Sequence, residues 1–426
     1  MITMKYMRFS MVFLFLMISL ACVAQPTGKI ILTNTLTVER SDELIVFQKK
    51  MLEQKLGKIA AGKFVVFNNK ANRPMVVQYD DMNGDGNWDE AVFLYSFGPK
   101  EKAVINIKLS DNPATIKAVV RAHVRLSKKN ADETFGPAVA SETMPLKNPA
   151  TDFAKQPLPL YLTEGPAWEN DKVAFRQYMD VRNGRDIYGK RVPHMVMDSV
   201  GTTVKTSYHD LNDWGMDVLH VGKSLGAGAV AVRLKVNGRD TLIRLGGADI
   251  TKTVYEQVSD GPIRAIFRMK YTWLVNKRII QITDETGVWG GQYFYESKLT
   301  VKGMPAGAKL VTGIANFNEN ISKNFQVNNM AVLYSHGKQS ENKDELGMSI
   351  MVKKNGFAGF GATPDAGSEI LNTYTVSQFI RNTPLVYRFY ACWVKSDARF
   401  GDAASFENFL RKEAQRKDVE ILKKIL

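Results

Sequence analysis

Residues 229–245 read AVAVRLKVNGRDTLIRL. Val232, Leu234 and Val236 alternate with Arg233 and Lys235, and polar and apolar residues interleave again on the far side of Asn237-Gly238. A two-residue type I′ turn needs positive φ at both central positions, which Asn and Gly tolerate. The stretch therefore predicts a β-hairpin, and the same period-2 pattern recurs outward from it. Strands are predicted at 263–275, 278–284, 292–301, 308–316, 348–353 and 386–394, and upstream at 29–38, 43–48, 63–69, 74–79, 90–97, 103–109 and 115–124. Short strands separated by turn residues at such intervals indicate an all-β protein built from sandwiches. One helix is predicted near the end, where Phe406, Phe409, Leu410 and Ala414 share a face behind Asp402 or Ser405 as N-cap.

Between Ser127 and Trp168 the alternation stops, and Pro137, Pro145, Pro149, Pro157, Pro159 and Pro166 interrupt a polar stretch. This segment reads as a connection packed across the second of two domains. The predicted organisation is a small N-terminal β-sandwich domain over 25–127, a connecting segment over 128–168 and a large β domain over 169–426. A chain of 426 residues, 45% hydrophobic and 23% charged, is long enough for two or three domains and has the composition of a folded globular protein.

Residues 1–24 read as a signal peptide. Lys5 and Arg8 precede an apolar run from Phe9 to Leu20, and Cys22-Val23-Ala24 offers small residues for cleavage before Gln25. Lipoprotein processing at Cys22 is the rival, with Ser19 where Leu is usual. The run is shorter than a bilayer span, so an exported protein without stable membrane insertion is expected, periplasmic or secreted. Cleavage would leave Cys392 as the lone cysteine, in the apolar run 387–394. The formal charge of +14 comes from 57 Lys and Arg against 43 Asp and Glu. The cations are spread along the chain without blocks or nucleic-acid-binding motifs, which argues against nucleic acid and leaves an acidic glycan as the polyanion that suits an exported protein.

The stretch DDMNGDGNWDE at 80–90 has calcium-loop spacing. Counting from Asp81, the residues Asn83, Asp85 and Asp89 stand at positions 3, 5 and 9, Gly86 at 6, and the Asn87 carbonyl at 7. Val92 replaces the EF-hand glutamate at position 12, and the flanks are strands, as in the calcium loops of FG-GAP repeats. Structural calcium is one reading. The other is an Asn/Asp/Gly hairpin held by its own side-chain-to-backbone hydrogen bonds.

Residues 164–226 concentrate side chains suited to a sugar. Trp168, Trp214, Tyr178 and Tyr188 offer aromatic faces, Arg182 and Lys190 a clamp for a carboxylate, and His209, Tyr208 or Lys190 a base. Asp213 and Asp217, with Asp210, are placed to orient them. The five histidines form no metal-ligand spacing, so zinc is not expected.

These stretches together resemble a domain family of unknown function found in exported proteins of polysaccharide-degrading bacteria. The resemblance runs through Glu164-Gly165-Pro166, Trp168-Glu169, Arg182-Asn183, Asp186, Gly189-Lys190, Tyr208-His209, Trp214-Gly215-Met216-Asp217, Val221 to Gly226 and Asp260 to Ala265. That family is similar to galactose-mutarotase-like β-supersandwich proteins, which implies such a fold for the large domain. Its genes lie beside enzymes for uronate-rich glycans, which implies an acidic oligosaccharide or polysaccharide as partner. Three functions follow as expectations. One is a lyase in which Arg182 and Lys190 neutralise a uronate carboxylate while His209 or Tyr208 takes the C5 proton. The second is a glycoside hydrolase using two carboxylates among Glu164, Glu169, Asp213 and Asp217. The third is a non-catalytic binder with Trp214, Trp168, Tyr178 and Asp186 lining the sugar.

Overall fold

The computed structural model describes residues 27–426 except 276, 319–320 and 364–368. The expected signal segment and Cys22 lie outside the described residues. The protein is all-β, with two α-helices among the described residues, at Lys49–Leu56 and Ala403–Asp418. The hairpin forms as expected: Val236 faces Arg239 across a turn in which Asn237 has φ 50° and Gly238 φ 81°. Asp402 is the N-cap of the second helix, its carboxylate accepting from the Ser405 amide at 2.7 Å. Among the described residues no helix is long and apolar enough to cross a membrane.

A nine-stranded antiparallel sheet dominates, ordered 141–143, 250–259, 264–275, 278–289, 294–302, 385–393, 345–353, 330–338 and 323–327. Two five-stranded sheets pack against it. One holds the hairpin with 309–315, 373–379 and 357–362; the other runs 215–217, 185–190, 173–177, 167–170 and 122–125. One continuous core joins all three, with Trp168 and Phe175 meeting Phe267, Tyr295 and Phe389. The strand pattern leads to the expectation of a sandwich, and these three sheets form a large one. The long helix closes the outer face of the nine-stranded sheet with Phe406, Leu410 and Ala414 around Phe400 and Tyr390, and buries Cys392 beside them.

The smaller sandwich packs the sheet Leu422–Ile425, Thr27–Thr33, Lys102–Ser110 and Phe64–Asn68 on Arg40–Gln48, Glu90–Phe97 and Gln78–Asp80. Its core is Ile30, Phe47, Phe67, Phe93 and Ile105, with Leu52 and Leu56 from the first helix. Two details differ from the strand pattern. The last residues of the chain pair with its first strand, Ile30 opposite Ile425. Residues 115–121 form no strand, and Ala122–Arg125 joins the larger sandwich opposite Ala167–Asn170. The Pro-rich connection contributes strand 141–143 to the edge of the nine-stranded sheet, and Asn148 donates to the Met179 carbonyl just beyond the strand 173–177.

In the 80–90 hairpin Asp81 accepts from the amides of Gly84 and Gly86, both at 2.7 Å, and Asn83 donates to Asp89. Asp80 turns away from the loop. It is buried against Arg264 at 2.6 Å, which also holds Glu90 and so ties the small sandwich to the large one. Removing one member of a buried ion pair strands the other in low dielectric. Arg264→Met is therefore predicted to cost about 3 kcal/mol or more, read as a fall in the denaturant midpoint; an unchanged midpoint would remove this tie from the account.

Candidate functional site

The outer face of the 215–217/185–190/173–177/167–170/122–125 sheet carries the site. Antiparallel register aligns two rows of side chains across it. Arg125, Ala167, Arg176 and Asp186 form one; His123, Glu169, Ala174, Tyr188 and Asp217 form the next. The face is covered by residues 191–214, whose Val196, Met197 and Val200 pack on Ala167, Ala174 and Tyr188. Charged groups in these rows are thus out of water and must find partners.

Arg176 is the hub. Its guanidinium reaches Asp186 at 2.7 Å, Glu164 at 3.0 Å and Asp217 at 3.1 Å, and donates to the Tyr178 hydroxyl at 2.7 Å. One cation thus faces three carboxylates. Burial, and then neighbouring Asp186, push the Asp217 carboxyl well above the usual range, against the pull of Arg176. Of the three carboxylates, Asp217 is thus the one whose surroundings most favour the neutral acid.

Glu164 is placed by backbone geometry. Thr163 and Glu164 both hold positive φ, 51° and 64°, an arrangement costly for non-glycine residues. Gly165 follows at φ 158°, and a Cβ there would stand 2.0 Å from the Gln177 carbonyl. Arg125 locks the turn, donating to the carbonyls of Leu162 and Gly165, to Thr163 Oγ1 and to Met197 O. It is fully buried with only neutral oxygens as partners, and burial pushes its pKa down to about 10. Glu164 also binds Arg182 at 2.6 Å. Arg182 is one-third exposed, chelates Asp180 and lies over the Tyr178 ring at 3.7 Å.

His209 stands at the surface of this cluster. It is 61% exposed, its Nδ1 is 3.7 Å from Asp217 Oδ2, and its ring lies 4.5 Å from that of Tyr208. Partial burial, and then Arg176, hold its pKa below the ordinary value. Tyr208 is more enclosed, and burial raises its phenol; Arg176 approaches its oxygen at 3.4 Å. Tyr208 and His209 line a cavity of about 290 Å³ with Phe153, Pro157, Thr163 and Val204. A neighbouring cavity of about 250 Å³ is lined by Glu164 and Asp180, and the Pro-rich connection contributes to both walls.

The structure thus brings together His209, Tyr208, Arg182, Glu164, Tyr178, Asp186 and Asp217. Five expected residues stand elsewhere. Lys190 is fully buried, bonded to Glu169 and to the Asn170 carbonyl at 2.8 Å, so it offers no clamp or base to a substrate. Glu169 also caps the amides of Val196 and Met197 and is equally closed off. Trp168 lies 1% exposed in the inter-sheet core, stacked on Phe175 at 5.7 Å, where no sugar reaches it. Trp214 is half-buried against Tyr188, and Asp213 is exposed beside it. Sequence reading missed Arg176, Arg125 and Asp180. The signal was present for the first: Arg176-x-Tyr178 and Asp186-x-Tyr188 are period-2 pairs on adjacent strands, hidden because both faces of those strands are buried.

A family model described as domain of unknown function DUF4861 matches residues 32–421. An uncharacterized protein, P7, of Formosa agariphila is 20% identical over 419 residues, covering 93% of each chain. Among solved structures, an alpha-mannosidase from Enterococcus faecalis V583 covers 94% of this chain and 46% of its own at 10% identity and TM-score 0.48. A glycosyl hydrolase family 38 protein from Enterococcus faecalis covers 94% and 47% at 9% identity and the same score. The chain spans about half the length of these two structures.

His123 anchors the covering segment to the sheet, its two ring nitrogens 3.0 Å from Asp198 and 2.9 Å from Asp260. Burial opposes its charge, but the two carboxylates win and raise its pKa to about 10. A folded-state pKa above the unfolded value of about 6.5 stabilises the protein fully below that pH and loses its contribution as pH rises toward about 10. Stability of the wild type should therefore decline from pH 6.5 to 10 more steeply than that of His123→Gln; parallel curves from denaturant titration would contradict the assignment.

Proposed function

The chain belongs to the DUF4861 family, a domain of unknown function, and we propose that it is an exported carbohydrate-active enzyme acting on acidic glycan fragments by β-elimination. The carrying observation is which groups of the cluster reach solvent. Asp186 and Asp217 are 1–2% exposed and out of a substrate's reach, whereas His209, Tyr208 and Arg182 stand at the surface. In this reading Arg182 binds the uronate carboxylate, in competition with Glu164 and Asp180, and so acidifies the C5 proton. Neutral His209, oriented by Asp217, takes that proton. The electron pair forms the C4–C5 double bond, the C4–O4 bond breaks, and the Tyr208 phenol, kept protonated by burial, supplies a proton to the leaving oxygen.

Absorbance of an unsaturated uronate, followed while the protein is incubated with pectic, alginate and glucuronan oligosaccharides, tests the reading. His209→Ala should lower turnover by about 10²–10⁴-fold with oligosaccharide binding retained. The low-pH limb of the wild-type profile should have its midpoint below 6.5, as the depressed imidazole requires. Unchanged turnover in His209→Ala would overturn the assignment.

Hydrolysis is the second reading, favoured by Glu164 on the wall of the adjoining cavity. It requires shortened oligosaccharides without the new absorbance. Intact oligosaccharides would leave a binding protein.

Structural calcium in the 81–89 loop belongs to the same proposal. Asp81, Asn83, Asp85, Asp89 and the Asn87 carbonyl would hold it, and the ion would neutralise the loop's acids. Its support is the residue spacing: among the described residues no group of three or more His, Cys, Asp or Glu is arranged around a metal, and Asp81 serves the loop's own amides. Calcium should raise the Tm of chelator-treated protein, and Asp85→Ala should abolish the rise; an unmoved Tm would leave the hairpin self-sufficient.

A further inference from the structure

A second hollow lies on a different sheet from His209. It is a trough of about 500 Å³ on the open face of the nine-stranded sheet, formed by strands 250–259, 264–275, 278–289 and 294–302. Register places its residues in three rows across the four strands. The first is Lys252, Thr272, Gln281 and Lys302; the second Val254, Lys270, Thr283 and Thr300; the third Arg268, Glu285 and Lys298, with Glu256 beside Arg268 at its edge. Alternate residues such as Tyr271, Ile282 and Leu299 point the other way, into the core.

The shape follows from side-chain length. Thr272, Thr283 and Thr300 are short and form a hydroxyl-bearing floor, while Lys252, Lys270, Arg268, Lys298 and Lys302 rise around it. Strands about 4.8 Å apart and residues about 3.3 Å apart along each strand give a patch about 14 Å on each side. Five cations share Glu256 and Glu285. Lys270 pairs with Glu256 at 2.6 Å, Arg268 with Glu285 at 2.8 Å and Lys298 with Glu285 at 3.6 Å. Lys252 and Lys302, at opposite ends of the first row, have no ion-pair partner among the described residues. The open face thus carries a net positive charge around a polar hollow, a field that attracts an anionic ligand.

We infer that this trough binds a segment of an anionic oligosaccharide, several negatively charged sugars long, independently of the His209 site. Charges along the ligand meet Lys252 and Lys302, and its hydroxyls meet the threonine and glutamine floor. The lining favours a glycan over single-stranded nucleic acid, which is held by aromatic rings stacked on bases. The one aromatic residue in the lining, Tyr271, is buried with its hydroxyl 3.0 Å from Asn183.

Isothermal titration of the full chain with a galacturonate hexasaccharide, its methyl-esterified neutral form and a single-stranded DNA oligonucleotide of equal charge tests this. The acidic hexasaccharide should bind and the neutral form should not. Lys252→Gln/Lys302→Gln should weaken binding roughly tenfold, two exposed charge contacts' worth, at unchanged Tm. Thr283→Trp, which fills the floor, should abolish binding at the trough while leaving turnover of short substrates intact. His209→Ala should bind as the wild type does, so failure of the catalytic reading leaves this test untouched. Binding unaffected by either trough variant, or tighter binding of the DNA, would overturn the inference.

Discussion

Everything at the candidate site depends on one buried guanidinium. Arg176 sits in a sheet covered on both faces and draws Glu164, Asp186 and Asp217 to within hydrogen-bond distance. Glu164 shares its charge with Arg182 as well, whereas Asp186 and Asp217 have Arg176 alone, and burial together with the Asp186 charge pushes the Asp217 carboxyl well above its usual range. His209 stands at the surface of this cluster, where partial burial and then the field of Arg176 act on it. The imidazole is consequently biased toward its neutral form. The same guanidinium fixes Tyr178 and Tyr208, and through Glu164 it fixes Arg182.

Such a cluster needs a rigid frame. Arg125 supplies part of it by holding the left-handed turn at Thr163 and Glu164 through neutral oxygens alone. Arg185 supplies another part on the opposite face of the same sheet, where it reaches Asp284 at 2.6 Å and the Tyr387 hydroxyl at 2.9 Å and ties this sheet to the nine-stranded one. Gly189 keeps the strand close to Trp393, whose ring would lie 2.3 Å from a Cβ at that position. Neighbouring residues of the strand 185–190 therefore serve the inter-sheet core and the site in alternation.

That arrangement explains what was legible in the sequence. Strands with one wet face, such as 264–275 and 278–289, alternate cleanly and were placed within a few residues, apart from the far end of the second. The Asn237-Gly238 hairpin and the helix capped by Asp402 were equally plain. The strands 167–170, 173–177, 185–190 and 215–217 carry buried residues on both faces, and many of those are charged, so the period-2 signal vanished where the site lies. The unusual density of Arg, Asp, Tyr and His in 164–226 did mark the region. It did not tell a satisfied internal pair, such as Lys190 with Glu169, from groups that reach solvent, because that depends on the covering segment 191–214. Trp168 misled for the same reason: a tryptophan among polar residues resembles a sugar platform until the facing sheet is known.

The most direct test of this account addresses the proton on Asp217. Infrared difference spectroscopy at neutral pH should reveal the carbonyl stretch of a protonated buried carboxyl in the wild type, and the band should be missing in Asp217→Asn. A wild-type spectrum without that band would mean that all three carboxylates stay ionised around Arg176, and the proposed tuning of His209 would fall with it.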